Sequence, residues 1–580
     1  MKWFISLAIF SMFAITNLSA KTKTVKIRII ETTDVHGSFL PYDFIKRQQK
    51  KGSMARIYSY IENVRKESGK NLLLLDNGDI LQGQPITYFF NYIAKNQENI
   101  AASITNFMGY NVQNIGNHDI EPGHEVYDKW IGETRAAVLG ANIIDTTTGK
   151  PYLKPYEVFY RDGVKIVVLG MLTPAIPSWL GEELWENLQF EEMMVSTRKW
   201  VEQIRKQEKP DILIGLFHSG RRDGISTSEY KENCTEEIAR EIPGFDIIFY
   251  GHDHIKFCSE LTNREGKNVW ILNPANNARN IADAEITVTL KKNKIIDKHI
   301  EGKIVNIEDE PISDAFIRAF AKQADMVSEY VNRPIGRLTE PMSTNECYFG
   351  SCPFTDFVQN MQLKLSGAQV SFFAPLTLNT HLDAGELHVG DMFNLYKFEN
   401  KLCTVKMTGE EIRRHLEMSY SLWINTMESK EDHILLLNEN TKDNNERAGF
   451  KNYIFNFDSA AGIDYEVDVT KPDGHKVKII QFSNGEPFNP RQTYLVAMNS
   501  YRANGGGELL TRGAGLSKSE IEKRKVWESE LDLRYYLMQE IENVGTITPK
   551  ANNNWRFVPE EWTMPAIERD KKILFQNNSK

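Results

Sequence analysis

Ile247-Ile248-Phe249-Tyr250-Gly251-His252-Asp253-His254 joins four apolar residues to a glycine and two imidazoles two positions apart. An apolar run bounded by Gly predicts a buried strand that turns at once into a tight loop. Extended backbone alternates its side chains with a period of two, so His252 and His254 are expected on one side, where they can grip one metal or two adjacent ones. Taken alone, the pair reads as readily as two solvated loop histidines. Its weight comes from the strands around it.

Upstream, residues 24–33 alternate towards a strand followed by Asp34-Val35-His36-Gly37, in which Asp34 and His36 are again expected on one face. Asn71-Leu72-Leu73-Leu74-Leu75 runs into Asp76-Asn77-Gly78-Asp79, and residues 112–115 run into Gly116-Asn117-His118-Asp119. Residues 165–169 form a further strand, and residues 211–217 another that ends on His218. Strands alternating with helical stretches predict an α/β layered domain, in which ligands bind outside the carboxyl ends of the strands. Asp34, His36, Asp79, Asn117, His218, His252 and His254 all fall there. Carboxylate, carboxamide and imidazole groups are what hard and borderline divalent metals take, so these residues predict a metal centre.

In this order, Asp-Val-His-Gly, Asn-Gly-Asp, Gly-Asn-His-Asp, the strand-terminal His218 and Gly-His-Asp-His resemble the five blocks of the calcineurin-like metallophosphoesterases. The resemblance implies a four-layer αββα catalytic domain with two divalent metal ions, and the mixed N/O ligands suit Mn, Zn, Fe or Co without choosing among them. It implies that Asp34, His36, Asp79 and His254 hold one ion, and Asp79, Asn117, His218 and His252 the other, with Asp79 bridging. Such a pair clamps a phosphoryl group, lowers the pKa of a bound water and stabilises the leaving oxygen, so the implied reaction is phosphoester hydrolysis by a metal-activated hydroxide. His118 resembles the family's histidine that contacts the phosphoryl oxygens and assists departure of the leaving group. The nucleotidase branch has Asp or Asn three residues on; this chain has Glu121, a longer carboxylate that can still orient an imidazole.

Residues 281–306 read as a strand pair, and residues 311–333 carry Ile312, Phe316, Phe320, Ala324, Val327 and Tyr330 at helical spacing. The expected division is a signal peptide (1–20), a metallophosphoesterase catalytic domain (21–310), a linker helix and hinge (311–335), a C-terminal α/β nucleotide-binding domain (336–558) and a tail (559–580). The second domain resembles that of the secreted nucleotidases, residues 391–396 and 408–416 fitting its strand and helix pattern. Phe455 and Tyr501 are the candidates to sandwich a base, Tyr501 lying beside the turn Gly505-Gly506-Gly507, whereas Phe457 and Tyr465 read as core. These segments, with Asn552-Asn553-Asn554-Trp555-Arg556, look closer to the 2',3'-cyclic-nucleotide 2'-phosphodiesterase/3'-nucleotidase branch than to the 5'-nucleotidases. The Asn-x-Gly-Gly-Ile-Arg block of the 5'-nucleotidases has no counterpart in residues 372–379. The expectation is therefore a hydrolase of 2',3'-cyclic nucleotides and 3'-nucleotides. A 5'-nucleotidase/UDP-sugar hydrolase is the near neighbour, and an inert nucleotide-binding protein is the alternative of another class.

At 580 residues the chain exceeds one ordinary domain, and 41% hydrophobic with 25% charged residues is ordinary globular composition. A formal net charge of −9 leaves no global basic field for a nucleic-acid duplex, so the expected partner is a small nucleotide. Lys2, an apolar run over residues 3–15 and Asn17-Leu18-Ser19-Ala20 read as a secretory signal peptide cut after Ala20. The mature chain is expected in the periplasm or outside the cell, as a monomer without a stable membrane anchor. Five cysteines in an oxidising compartment leave at least one unpaired; Cys347 and Cys352 are the close pair, equally readable as buried free thiols.

Overall fold

The computed structural model describes residues 22–438 and 449–576, so the expected signal peptide lies outside the described residues. In the first domain the main strands are β1 (Thr22–Thr32), β2 (Leu72–Asp76), β3 (Val112–Asn114), β4 (Ala137–Leu139), β5 (Tyr156–Arg161), β6 (Val164–Leu172), β7 (Ile212–His218), β8 (Ile247–Tyr250), β9 (Phe257–Thr262), β10 (Asn268–Asn273), β11 (Asn280–Lys291) and β12 (Lys294–Asn306). They form two six-stranded sheets, ordered β12-β11-β1-β2-β3-β4 and β9-β10-β8-β7-β6-β5.

Strands β1 to β4 run parallel, as do β6, β7, β8 and β10, so their carboxyl ends open on one edge of each sheet. Parallel strands covered on both faces need apolar side chains of either parity, which is why Leu72 to Leu75 are all buried. One parity fills the space between the sheets: Ile27, Ile29, Leu73, Leu75 and Val112 meet Ile166, Val168, Ile214, Leu216 and Phe249. The other parity meets helices. Leu74 packs with Ile57, Ile61 and Val64 of α1 (Met54–Ser68), and Leu213 and Ile248 pack with Trp200, Val201 and Ile204 of α2 (Met193–Gln207). The result is the expected αββα layering.

Helix α3 (Asp314–Val331) begins at Ser313, whose hydroxyl accepts from the Phe316 amide. Its buried face, Phe316, Phe320, Val327 and Val331, packs into the first domain's helix-side core, so the expected linker is anchored to the catalytic side. Burying a side chain such as Phe316 stabilises that docking by about 1.5–3 kcal/mol.

The second domain is built on a five-stranded sheet of β13 (Val370–Phe373), β14 (Lys401–Thr408), β15 (Ser459–Ala461), β16 (Thr493–Asn499) and β17 (Lys525–Asp532), ordered β15-β13-β16-β14-β17. Helix α4 (Gly409–Trp423) follows β14 through a capping box in which Thr408 and Glu411 each accept the other's backbone N–H. Phe457 and Tyr465 are fully buried, as core residues should be. A disulfide joins Cys347 and Cys352; Cys234 and Cys403 are buried free thiols. Residues 559–580, expected as a tail, carry α5 (Glu560–Lys571), whose Ala566 packs into the domain core and whose Asp570 accepts from the Leu435 amide. Pro565 lies inside this helix.

The two domains are in contact. The Tyr88 hydroxyl donates to Asp532 at 2.9 Å, and the buried Arg534 guanidinium lies over the rings of Tyr88 and Phe393 at 4.8 and 4.0 Å. Lys518 reaches the Pro177 carbonyl and the Ser178 hydroxyl of the first domain.

Candidate metal centre and catalytic dyad

All seven side chains singled out at the strand ends converge. Asp34, His36, Asp79 and His254 bring ligand atoms within 4.8 Å of one another, and so do Asp79, His218 and His252, with Asp79 common to both groups. The Asn117 Oδ1 lies 3.1 Å from His218 Nε2 and 2.8 Å from His252 Nδ1.

They do not converge by the route the sequence suggested. Asp34, His36, Asp79, His252 and His254 all have positive φ, between 46° and 75°, so they sit in left-handed turns and not in extended backbone. His252 with His254, and Asp34 with His36, are therefore brought together by turns and not, as expected, by the two-residue period of a strand. Non-Gly residues held in this region are strained, and such strain collects where a site over-determines the backbone. Two glycines make the crowding possible. A Cβ on Gly116 would fall 2.2 Å from Asp79 Oδ1, and one on Gly251 would fall 2.5 Å from Asp34 Oδ2.

Hydrogen bonding fixes which nitrogen faces the centre. His218 Nδ1 lies 2.7 Å from the Asn77 carbonyl, which only accepts, so Nδ1 carries the proton and Nε2 points at Asp79 Oδ2 and Asn117 Oδ1, both at 3.1 Å. His36 Nδ1 likewise faces the Gln82 carbonyl at 3.3 Å, leaving Nε2 towards His254 Nε2 at 3.0 Å. His254 Nε2 is 3.2 Å from Asp34 Oδ1. On the other side, His252 Nε2 contacts Glu232 Oε1 at 3.0 Å while Nδ1 turns to Asn117 Oδ1. Lone pairs thus face lone pairs across the centre, an arrangement that asks for cations between them.

Charge tells the same story. Burial alone would lower His218, but Asp79 outweighs it and raises it to about 9, so either a proton on Nε2 or a cation in its place balances the buried carboxylate. Burial would raise Asp79, yet His218 and His118 keep it well below the usual carboxylate range. His36 is pushed down to about 4 by burial and by His254, so it stays neutral, the form that ligates. The donor set, mixed N and O with a shared carboxylate, fits divalent transition metals.

His118 and Glu121 stand beside this centre. His118 Nδ1 lies 2.5 Å from Glu121 Oε2, so the longer carboxylate does reach the imidazole. Burial lowers His118, but Asp79 and Glu121 outweigh it and raise it to about 9.

Three residues that sequence reading passed over complete the site. Asp119 is fully buried and accepts from the backbone N–H groups of Asp79, Ile80, Leu81 and Gly116, tying two ligand-bearing loops together. Asp119 closes the Gly116-Asn117-His118-Asp119 stretch, where nothing local distinguishes it from a ligand or a cap. Glu232 lies on a loop with no local signature, and only its contact with His252 reveals it. Trp179 places its ring 5.5 Å from that of His252.

Phe455 and Tyr501, the candidate base sandwich, are neighbours, with ring centroids 6.1 Å apart, but their planes meet at 88°. They stand edge to face, and Phe455 is stacked instead on Tyr453 at 16° and 5.1 Å. A base between them requires one ring to turn. The Tyr501 hydroxyl is pushed up to about 12 by burial, against Arg502, with Glu232 of the first domain among the charges acting on it.

Comparison with known proteins gives a consistent pattern. The sequence model of the calcineurin-like phosphoesterases matches residues 27–256, and that of the 5'-nucleotidase C-terminal domain matches residues 334–512. A 2',3'-cyclic-nucleotide 2'-phosphodiesterase/3'-nucleotidase of Yersinia enterocolitica is 26% identical, over 94% of this chain and 90% of its own length. The protein of the same name from Haemophilus influenzae is 27% identical, over 93% and 89%. Among solved structures, a Staphylococcus aureus protein provisionally assigned as a 5'-nucleotidase superposes with a TM-score of 0.76 at 19% identity, covering 92% of this chain and 99% of its own.

Proposed function

We propose that this chain, a metal-dependent phosphoric ester hydrolase whose residues 27–256 match the calcineurin-like phosphoesterases and whose residues 334–512 match the 5'-nucleotidase C-terminal domain, acts on 2',3'-cyclic nucleotides and 3'-nucleotides, taking them to nucleoside and phosphate. The observation that carries the reading is the pair of ligand groups sharing Asp79, beside a His118–Glu121 dyad, in a chain alignable over nearly its whole length with relatives named for that activity.

In this reading Asp34, His36, Asp79 and His254 hold one cation and Asp79, Asn117, His218 and His252 a second. Two such cations would supply a hydroxide nucleophile at neutral pH and neutralise charge on the phosphoryl oxygens. The protein's own residues do the rest. Asp119 holds the loops of Asp79 and Asn117 in register through its four backbone contacts. Glu232 keeps a proton on His252 Nε2 and so leaves Nδ1 free to ligate. Glu121 fixes His118 through Nδ1, leaving Nε2 to contact a phosphoryl oxygen and to give its proton to the departing ribose oxygen. Phe455 and Tyr501 hold the base, and residues 311–335 are the hinge between the domains. Export through a cleaved signal peptide of residues 1–20 belongs to the same reading. No helix among the described residues is long and apolar enough to cross a membrane.

The test is a product assay on 2',3'-cyclic AMP, 3'-AMP and 5'-AMP with added Mn²⁺. Turnover of the first two with release of adenosine supports the reading; turnover of 5'-AMP alone contradicts it and favours a 5'-nucleotidase.

A further inference from the structure

Outside the metal centre, the second domain buries a cluster of charged and titratable groups that the proposed chemistry does not use. Arg502 and Asp458 are each 3% exposed and His415 is fully buried. A buried guanidinium is costly unless every donor is met, and here all are. Arg502 Nε donates to Asp458 Oδ2 at 2.8 Å, one Nη2 proton to Asp458 Oδ1 at 3.1 Å and the other to the Phe455 carbonyl at 2.9 Å. Its Nη1 donates to Asn456 Oδ1 at 3.2 Å and to the Gly506 carbonyl. These contacts use all five donors of the fork. Behind the carboxylate, His415 Nε2 lies 2.8 Å from Asp458 Oδ2, with its ring stacked on Phe372 at 4.0 Å.

The partners of Arg502 come from two segments. One is the turn that carries Phe455; the other is the glycine turn after Tyr501, whose ring the guanidinium approaches at 5.4 Å. The glycines are set by this contact. A Cβ on Gly507 would fall 2.1 Å from Asn456 Oδ1 and 2.4 Å from Arg502 Nη1, and one on Gly506 would strike the Tyr501 ring at 2.5 Å. The two ring-bearing segments, distant in sequence, are thus locked together around one guanidinium.

We infer that Arg502, itself held by Asp458 and His415, is a positioning residue for base recognition: it makes the Phe455 and Tyr501 segments one rigid element, so that the spacing of the two ring-bearing backbones is set before substrate arrives and only the turn of one ring remains. This rests on the proposed role of Phe455 and Tyr501. A lysine at this position could not make the same lock, because an ammonium has three donors and no planar fork.

The experiment compares Arg502→Lys, Asn456→Ala and Tyr501→Ala in the full chain, reading KM and kcat on 3'-AMP and turnover of bis-p-nitrophenyl phosphate, with circular dichroism to establish folding. Asn456→Ala removes one arm of the lock and keeps the buried ion pair, so it reports even where Arg502→Lys fails to fold. The expected result is a KM on 3'-AMP raised between about fivefold and about a hundredfold in Arg502→Lys, the range of one lost stacking contact, and by less in Asn456→Ala. In both variants kcat and turnover of the small diester stay unchanged. A wild-type KM in both, with a raised KM in Tyr501→Ala, overturns the positioning role and leaves the base site standing. A wild-type KM in all three overturns both.

Discussion

Glu232 Oε1 lies 3.0 Å from His252 Nε2, and through that contact a residue on a loop without signature determines which nitrogen of His252 faces the metal centre. The other carboxylate oxygen of Glu232 is occupied by the Ile225 amide, so the group is held in place from both ends. Removing it in Glu232→Ala is expected to weaken metal affinity by about ten- to a hundredfold, the usual cost of losing a group that orients a ligating histidine. Competition with a chelator of known affinity measures this; an affinity equal to wild type would show that His252 needs no orientation.

His118 is bound to Glu121, whereas the metal groups are complete without it. His118→Asn should therefore keep the wild-type metal content and lose mainly kcat, by roughly 10²–10⁴-fold, as expected for a positioned proton donor. Metal analysis beside steady-state kinetics separates the two effects. Loss of metal in this variant would place His118 among the ligands.

Phe455→Ala or Tyr501→Ala should weaken nucleotide turnover by the stacking of one ring, about 1–3 kcal/mol, and leave bis-p-nitrophenyl phosphate nearly unaffected. Equal losses on both substrates would mean that the rings support the fold. The 88° angle between them adds a further expectation, that nucleotide binding turns one ring and changes the near-ultraviolet dichroism of the protein.

Burial pushes the Asp458 carboxyl up, but the Arg502 charge and the His415 bond outweigh it and hold it below the usual range. A group depressed in the folded state contributes stability above its unfolded pKa of about 3.9 and loses it as pH falls through the folded value. In Arg502→Met the same carboxyl is left buried without its cation and is driven up. The variant's deficit in Tm should then be widest near neutrality and shrink on acidification from about pH 7 to about pH 4. Thermal melts across that range check it; a deficit independent of pH would mean that the ion pair is not what stabilises the cluster.

The strand ends were legible because strands buried on both faces are continuous apolar runs, against which the polar residue that follows stands out; Leu72 to Leu75 before Asp79 is the clearest case. The candidate site was legible for the same reason, residue by residue. How its side chains meet was not. The left-handed backbone at Asp34, His36, Asp79, His252 and His254, and the close approach of Gly116 to Asp79 and of Gly251 to Asp34, are encoded by no local periodicity. Glu232 and Arg502 were invisible for another reason. Each acts through partners far away in sequence, His252 for the one and the Phe455 to Asp458 turn for the other.

Asp79 belongs to both ligand groups at once, and metal content measured per chain on wild type and Asp79→Asn is the sharpest check on that sharing. A shared Asp79 gives two divalent ions per chain in the wild type, with Asp79→Asn losing metal and activity together. An Asp79→Asn protein that keeps the full complement, or a fully active wild type with a single ion per chain, would contradict it.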